Sequence, residues 1–314
     1  MRTIYCLLTL LLLCSPAVGR EIIVDNVAGD DRFTGQAARD PGGMAGPVRT
    51  LAKALRLAGP GDTIVLVKND TPYREGFSLT GSRHSGTPEQ PFTIRGNGAI
   101  LDGSAPAPAE KWESYQGAVF RLRGRPTGYS QLFLDGRPAA RVFAAQSATS
   151  PPELQPRQWC AVAGRIYFCV DKTKLPGDYK LSYAHDPTGI TLFHVEHVRI
   201  ADLTVQGFQV DGINLCNSDR YVTLSKVTCR GNGRSGVAVG GASSATIEGS
   251  LLGNNGQAQL LTLPYCEAHV QNTHLLSNSA PGLVDQGGRV YVDGRRIEGG
   301  HDEFRPAATP SQKP

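Results

Sequence analysis

The sequence holds few of the features that would make it a membrane, nucleic-acid or zinc protein. Beyond residues 4–13, no apolar run approaches the ~20 residues a membrane helix needs. A formal net charge of +4 over 314 residues, without a lysine-rich tract, is too weak a field to imply a nucleic-acid partner. The 7 cysteines include no C-x-x-C, and no Cys/His pairs stand at zinc-ligand spacing, so no metal site is expected from them. Long amphipathic helices are scarce, and 37 glycines and 21 prolines instead favour many short strands joined by turns.

The first residues, MRTIYCLLTLLLLCSPAVGR, combine Arg2, a short apolar run and the small residues Ala17-Val18-Gly19. This pattern is a secretory signal peptide over 1–19 and too short for a membrane span, so the mature chain is expected to be secreted, periplasmic or at the cell surface. A lipid anchor on Cys14 is disfavoured by Leu13 before it. Cys160, Cys169, Cys216, Cys229 and Cys266 remain in the mature chain, an odd number that leaves one thiol unpaired.

Residues 20–103 contain VRTLAKALRLAGPGD, whose apolar positions 48, 51, 54, 55 and 58 have helical spacing. Strand-like TIVLV, FSLTG, FTIRG and AILDG follow, punctuated by glycine. Residues 104–187 read as a β-rich antiparallel insertion. QLFLDGRPAARVF is a hairpin turning at Asp135-Gly136. QWCAVAGRIYFCV is a second, and a turn at Gly164-Arg165 would set Cys160 opposite Cys169, predicting a disulfide in an exported chain. Residues 299–314 are polar and proline-rich and read as a disordered tail.

Residues 188–298 repeat. Gly189, Gly212, Gly236, Gln259 and Gly282 form one column, Ile200, Leu224, Ile247 and Val270 a second, and Val205, Cys229, Leu252 and Leu275 a third, at steps of 23 or 24. Each unit holds three short alternating runs and no helix. One such unit cannot bury its apolar face, but stacked units can, as in a parallel β-helix. The Leu/Asn consensus of leucine-rich repeats is missing.

Together VDNVAGDDRFTG, VRTLAKALRLAGPGDTIVL, YREGFSLTGSRHSGTPEQPFTIRGNGAILDG and DGINLCNSDRYVTLSKVTCRGNGRSGVAVGG resemble the right-handed parallel β-helix proteins of the pectin-lyase-like superfamily. The resemblance covers roughly 21–103 and 188–290. It implies an all-β solenoid with an N-terminal capping helix, and a carbohydrate-active protein, most plausibly lyase-like on an acidic polysaccharide. The alternative is a non-catalytic polysaccharide-binding or surface module on the same fold. A monomer is expected.

Lyases of this fold use Lys or Arg at the reacting carbon, often with Ca²⁺ on the uronate carboxylate. Lys226 and Arg230 are therefore the catalytic candidates, with His274 and Asp211 as substrate-binding candidates. Each has a plainer reading. Lys226 sits at a bend beside Asp202, where an exposed ion pair is expected, and Arg230 and His274 fit ordinary surface. Asp211 shares its column with Ser235 and Ala258, so it lacks the second carboxylate a hydrolase needs. Arg234 falls in GNGRSG, a solvated turn. His194, Glu196 and His197 are expected to make ladder hydrogen bonds between coils rather than to bind metal. Asp25, Asn26, Asp30 and Asp31 crowd one loop that could hold Ca²⁺, though a tight acidic turn is the simpler reading. Ala238, Leu261 and Val284 occupy outward positions, which makes the later coils poor in sugar-binding groups.

Overall fold

The computed structural model describes residues 19–39, 42–123, 129–145 and 147–297. Apart from Gly19, the expected leader and the expected tail lie outside the described residues.

The strand Glu21–Val24 pairs in parallel with Thr63–Leu66, and one helix, α1 (Leu51–Leu57), lies between them in sequence. Thr50 starts α1 by accepting the Lys53 N–H on its hydroxyl at 3.1 Å. The Glu75 carboxylate takes the Leu51 and Ala52 N–H groups at 2.8 and 3.2 Å, satisfying two more donors of the first turn. Leu51, Ala54 and Leu55 are the apolar stripe, and they join the central core. Helical spacing thus produced the expected cap.

From there the chain winds as a parallel β-helix. One face is a six-stranded parallel sheet of Phe77–Thr80, Ile190–Phe193, Asp211–Leu215, Ser235–Val239, Ala258–Thr262 and Leu283–Asp285. The other strands form a sheet that folds over a bend. Phe92–Asp102 and Glu196–Gln206, 11 residues each, run through it and pair in parallel. In later coils the strand breaks there, so Arg220–Ser225 continues as Thr228–Arg230 and Ser244–Glu248 as Leu251–Gly253. Those short strands, with His274–Leu275, make a third face.

The bend has a backbone cause. Asp202, Lys226, Gly249 and Asn272 stack there with φ of 51°, 53°, 56° and 45°. This left-handed conformation turns the chain in every coil and suits Asp, Asn and Gly better than Lys.

The register confirms the sequence columns. Ile200 pairs with Leu224, Leu224 with Ile247, and Ile247 with Val270. Val205, Cys229, Leu252 and Leu275 align the same way. All eight are buried in the central core. Each such side chain contributes about 1.5–3 kcal/mol of transfer free energy, which only stacking can realise. Ala238, Leu261 and Val284, expected to face water, are instead buried in a small separate cluster with Ala258.

Polar residues also stack inside the coils. Asn232 and Asn255 are fully buried. The Asn232 side-chain oxygen accepts the Phe208 N–H, and that of Asn255 accepts the Asn232 N–H. Their amide groups donate to the Val205 and Cys229 carbonyls, so each Asn closes the backbone of the neighbouring coil.

Between Asp102 and Ile190 the chain forms two small sheets, in strand order Ala140–Arg141, Gln158–Val162, Arg165–Cys169, Val119–Leu122, Trp112–Gln116 and Ser104–Pro106, Leu181–Ala184, Leu132–Leu134, Arg137–Pro138. The hairpin at Asp135-Gly136 forms as expected, with Leu134 opposite Arg137 and positive φ at both turn residues. It ends at Pro138, after which Ala140–Arg141 crosses to the other sheet.

The second hairpin corrects the cysteine reading. Its turn is Ala163-Gly164, with φ of 48° and 73°, and Val162 faces Arg165. Cys160 therefore lies opposite Tyr167, and Cys169 pairs with Val119 on the other side. Both thiols are free and buried, and burial pushes that of Cys160 up to about 11.

Candidate functional site

The structure separates the residues that the sequence singled out. Asp211 begins a strand of the six-stranded face and is 0% exposed. Arg234 grips it with Nε and Nη2 at 3.0 and 2.5 Å, and the Ser235 hydroxyl donates to it at 2.6 Å. A carboxylate so enclosed is a structural anchor rather than a substrate contact. Arg234, read as a solvated turn residue, is its half-buried partner.

Arg230 points outward on the third face, in register with Gln206 and, through it, Asp102. Its Nε donates to the Gln206 oxygen at 2.8 Å, and the Gln206 amide donates to Asp102 at 3.0 Å. His274 belongs to the neighbouring column, aligned with Leu251 and Thr228. Two strand spacings of about 4.8 Å and two residues of about 3.3 Å put the Cα atoms of Arg230 and His274 about 12 Å apart. Lys226 sits on the bend, and no ion pair joins it to Asp202 among the described residues. The four candidates thus occupy three separate places.

The acidic loop is occupied by protein donors. Asp25 accepts the Val27 and Ala28 N–H groups and the Asn69 amide. Asp30 holds Arg32, which keeps its carboxyl near about 2. Asp31 accepts from the Arg49 and Thr50 backbone and the Thr50 hydroxyl. Among the described residues, no group of three or more His, Cys, Asp or Glu is placed to hold a metal.

Asp219, one coil on, bonds the FHVEH coil through the Val195 backbone. The His194, Glu196 and His197 side chains meet Phe193, Arg220 and Tyr221 instead of forming the expected ladder. Asp219 is fully buried and accepts the Val195 N–H, the Asn217 N–H and the Ser243 hydroxyl. Burial pushes its carboxyl up and outweighs these bonds.

Where FHVEH reaches the surface, it borders a cleft of about 1070 Å³ beside the capping helix end of the solenoid. Arg20, Asp62, Ser85, Gln90, Glu196 and Arg220 line it, with His194 and Ser218. Arg20 pairs with Asp62 at 2.8 Å. Burial raises the Asp62 carboxyl, but Arg20 and the Gly59 N–H win and hold it below the usual range. Ser85 accepts the Glu196 N–H at 3.0 Å, and Glu196 faces Arg220 at 3.9 Å in register.

Two exposed aromatic residues, Phe193 and Tyr221, adjoin the lining residues His194 and Arg220 in sequence. Phe193 packs edge-on against His194, with centroids 4.4 Å apart. Tyr221, next to Arg220 and 65% exposed, stacks flat on His197 at 4.6 Å. Hydroxyls, an amide and paired charges beside exposed rings suit a hydroxyl-rich ligand. Asp62 is held low and tied up by protein donors, Arg20 and the Gly59 N–H. The sequence showed the FHVEH side of this cleft but not Arg20, Asp62, Ser85 or Gln90, which lie more than 100 residues earlier.

Comparison with known proteins agrees with the topology. A family model described as "Right handed beta helix region" matches residues 188–303. A solved structure entitled "Glycoside hydrolase" superposes with a TM-score of 0.59 over 88% of this chain and 74% of that one, at 12% identity. The fold is a right-handed parallel β-helix. Other solved β-helix neighbours include "The complex structure of XylC with xylose" (TM-score 0.42, 12% identity, 87% of this chain and 69% of that one). "Crystal structure of pectate lyase Pel9A" (TM-score 0.42, 10% identity) is covered over 62% of its length by 88% of this β-helix chain. No curated protein matches the sequence significantly. Among the described residues, no helix is long and apolar enough to cross a membrane.

Proposed function

We propose that this β-helix is an exported, carbohydrate-active protein that binds an acidic polysaccharide in the cleft beside the cap. The observation that carries this reading is the cleft itself: about 1070 Å³ of space lined by hydroxyl, amide and paired-charge groups. Its mixed lining matches the hydroxyls of a glycan, and Arg220, 64% exposed and only loosely paired at 3.9 Å, is the group to meet a carboxylate. The glycoside hydrolase that shares the fold supports carbohydrate as the ligand class. Binding without turnover is the form favoured by the geometry, because Arg230, His274 and Asp211 do not converge.

A lyase reading retains one specific support, the Lys226 side chain, which stands exposed on the bend with no ion-pair partner among the described residues. The test is a panel of polyuronates, with and without Ca²⁺, followed both by binding and by the absorbance of the unsaturated product. The expected result is binding weakened at least tenfold in Arg220→Gln and no new absorbance. Unsaturated product that disappears in Lys226→Ala would establish the lyase reading instead.

A further inference from the structure

Where the insertion meets the corner loops of the coils there is a second, smaller groove of about 280 Å³. The insertion reaches these loops closely: a side chain at Gly231 would strike Phe133, and one at Gly233 the Tyr129 carbonyl. One wall carries Arg141 and Phe143, and the other Asn254, Asn278 and Ser279 from successive coils. The volume lies just below the ~300–1,000 Å³ of ligand pockets and suits one ring-sized residue.

Arg141 is the unusual group. It lies on the edge strand of the five-stranded sheet, in register with Trp159. Its guanidinium carbon is 4.8 Å from the centroid of the Phe143 ring and 4.9 Å from that of Trp159. The rings hold the cation by its π-faced contacts, so recognition falls to its N–H edges. Its Nε is buried and has no hydrogen-bond acceptor, and no ion pair reaches Arg141 among the described residues. The two Nη groups, which unlike Nε are not buried, make no hydrogen bond among the described residues and are the edge a ligand can meet. The coil wall gives the same pocket a polar floor, where the Asn278 amide donates to the Asn254 oxygen at 3.1 Å. Phe143, 60% exposed, offers its ring to the open side.

We propose that this groove is a second glycan-binding site, in which Arg141 takes the carboxylate of a single uronic acid residue while Phe143 packs against the sugar ring. The proposal rests on the carbohydrate reading of the chain and adds a second place where an acidic residue is read. A planar carboxylate matches the guanidinium edge in a way a hydroxyl does not.

The test is calorimetric titration of the full mature chain with a galacturonate tetrasaccharide and with its methyl ester. Wild type should bind the acid at least tenfold more tightly than the ester. In an Arg220→Gln background, where the cleft no longer meets a carboxylate, Arg141→Gln should erase that preference and leave ester binding unchanged. Arg141→Lys should retain only part of it, and Phe143→Ala, at an exposed position, should weaken both ligands severalfold. Thermal midpoints verify that each variant is folded, and Phe143→Ala keeps the test alive should Arg141→Gln not fold. Equal affinity for acid and ester, or a preference surviving in the folded Arg220→Gln/Arg141→Gln double variant, overturns the proposal. If both ligands then bind and lose affinity in Arg220→Gln, the cleft beside the cap stands as the glycan site. If neither ligand binds wild type, both readings fall.

Discussion

In the coils, Arg234 reaches a fully buried Asp211, and a Ser235 hydroxyl fills the next acceptor position. In the insertion, Arg141 lies between Phe143 and Trp159 with a buried Nε and nothing to accept its proton. Both arginines are half-buried, yet one is complete and the other is not. The coils repeat, so buried polar groups find partners 23 or 24 residues on, as Asn232 finds Asn255 and Asp219 finds Ser243. The insertion does not repeat and has no such supply. Saturated polar groups here build the solenoid, and the unsaturated one marks where a ligand fits.

The contrast can be broken most forcefully at Asp211. Asp211→Ala strands Arg234, and an uncompensated half-buried charge costs about 3–5 kcal/mol. Denaturant unfolding showing a loss under about 1 kcal/mol would mean that the pair is not structural. Asn232→Leu comes next. It orphans the Phe208 N–H and the Val205 carbonyl, for an expected loss of about 1–3 kcal/mol in the same assay.

Asp219 sharpens the comparison through pH. Its carboxyl is raised by burial, so the folded chain holds this proton more tightly than the unfolded chain does. That contribution is full below the ordinary value of about 4 and is lost as pH rises through the higher folded value. The stability of wild type relative to Asp219→Asn should therefore be greatest near pH 4 and shrink toward pH 7, and a difference that grows with pH would refute the assignment.

The smallest effects belong to the unsaturated side. Arg141→Gln removes two ring contacts and no hydrogen bond, so unfolding should change by about 1 kcal/mol or less. Lys226→Ala, at the exposed bend, should stay within about 0.5 kcal/mol. A loss at Arg141 as large as that at Asp211 would erase the distinction between the two regions.

Sequence alone determined the solenoid. A period of 23 or 24 with Ile, Leu, Val and Cys in fixed columns leaves stacked coils as the way to bury those faces, and the Leu51–Leu57 helix and the Asp135-Gly136 turn are equally local. Tertiary structure decided what the charges do. Arg230, Lys226 and Arg234 sit within nine residues, yet one bonds Gln206, one stands on the bend and one closes on Asp211, because partners come from the next coil and not from the next residue. The Cys160 register was set by a turn at Ala163-Gly164, where Ala adopts a conformation its side chain disfavours. Arg141 gave no sequence signal at all. Its rings and the Asn254 wall are assembled by pairing of a strand of two residues and by the docking of the insertion, contacts that no local pattern encodes.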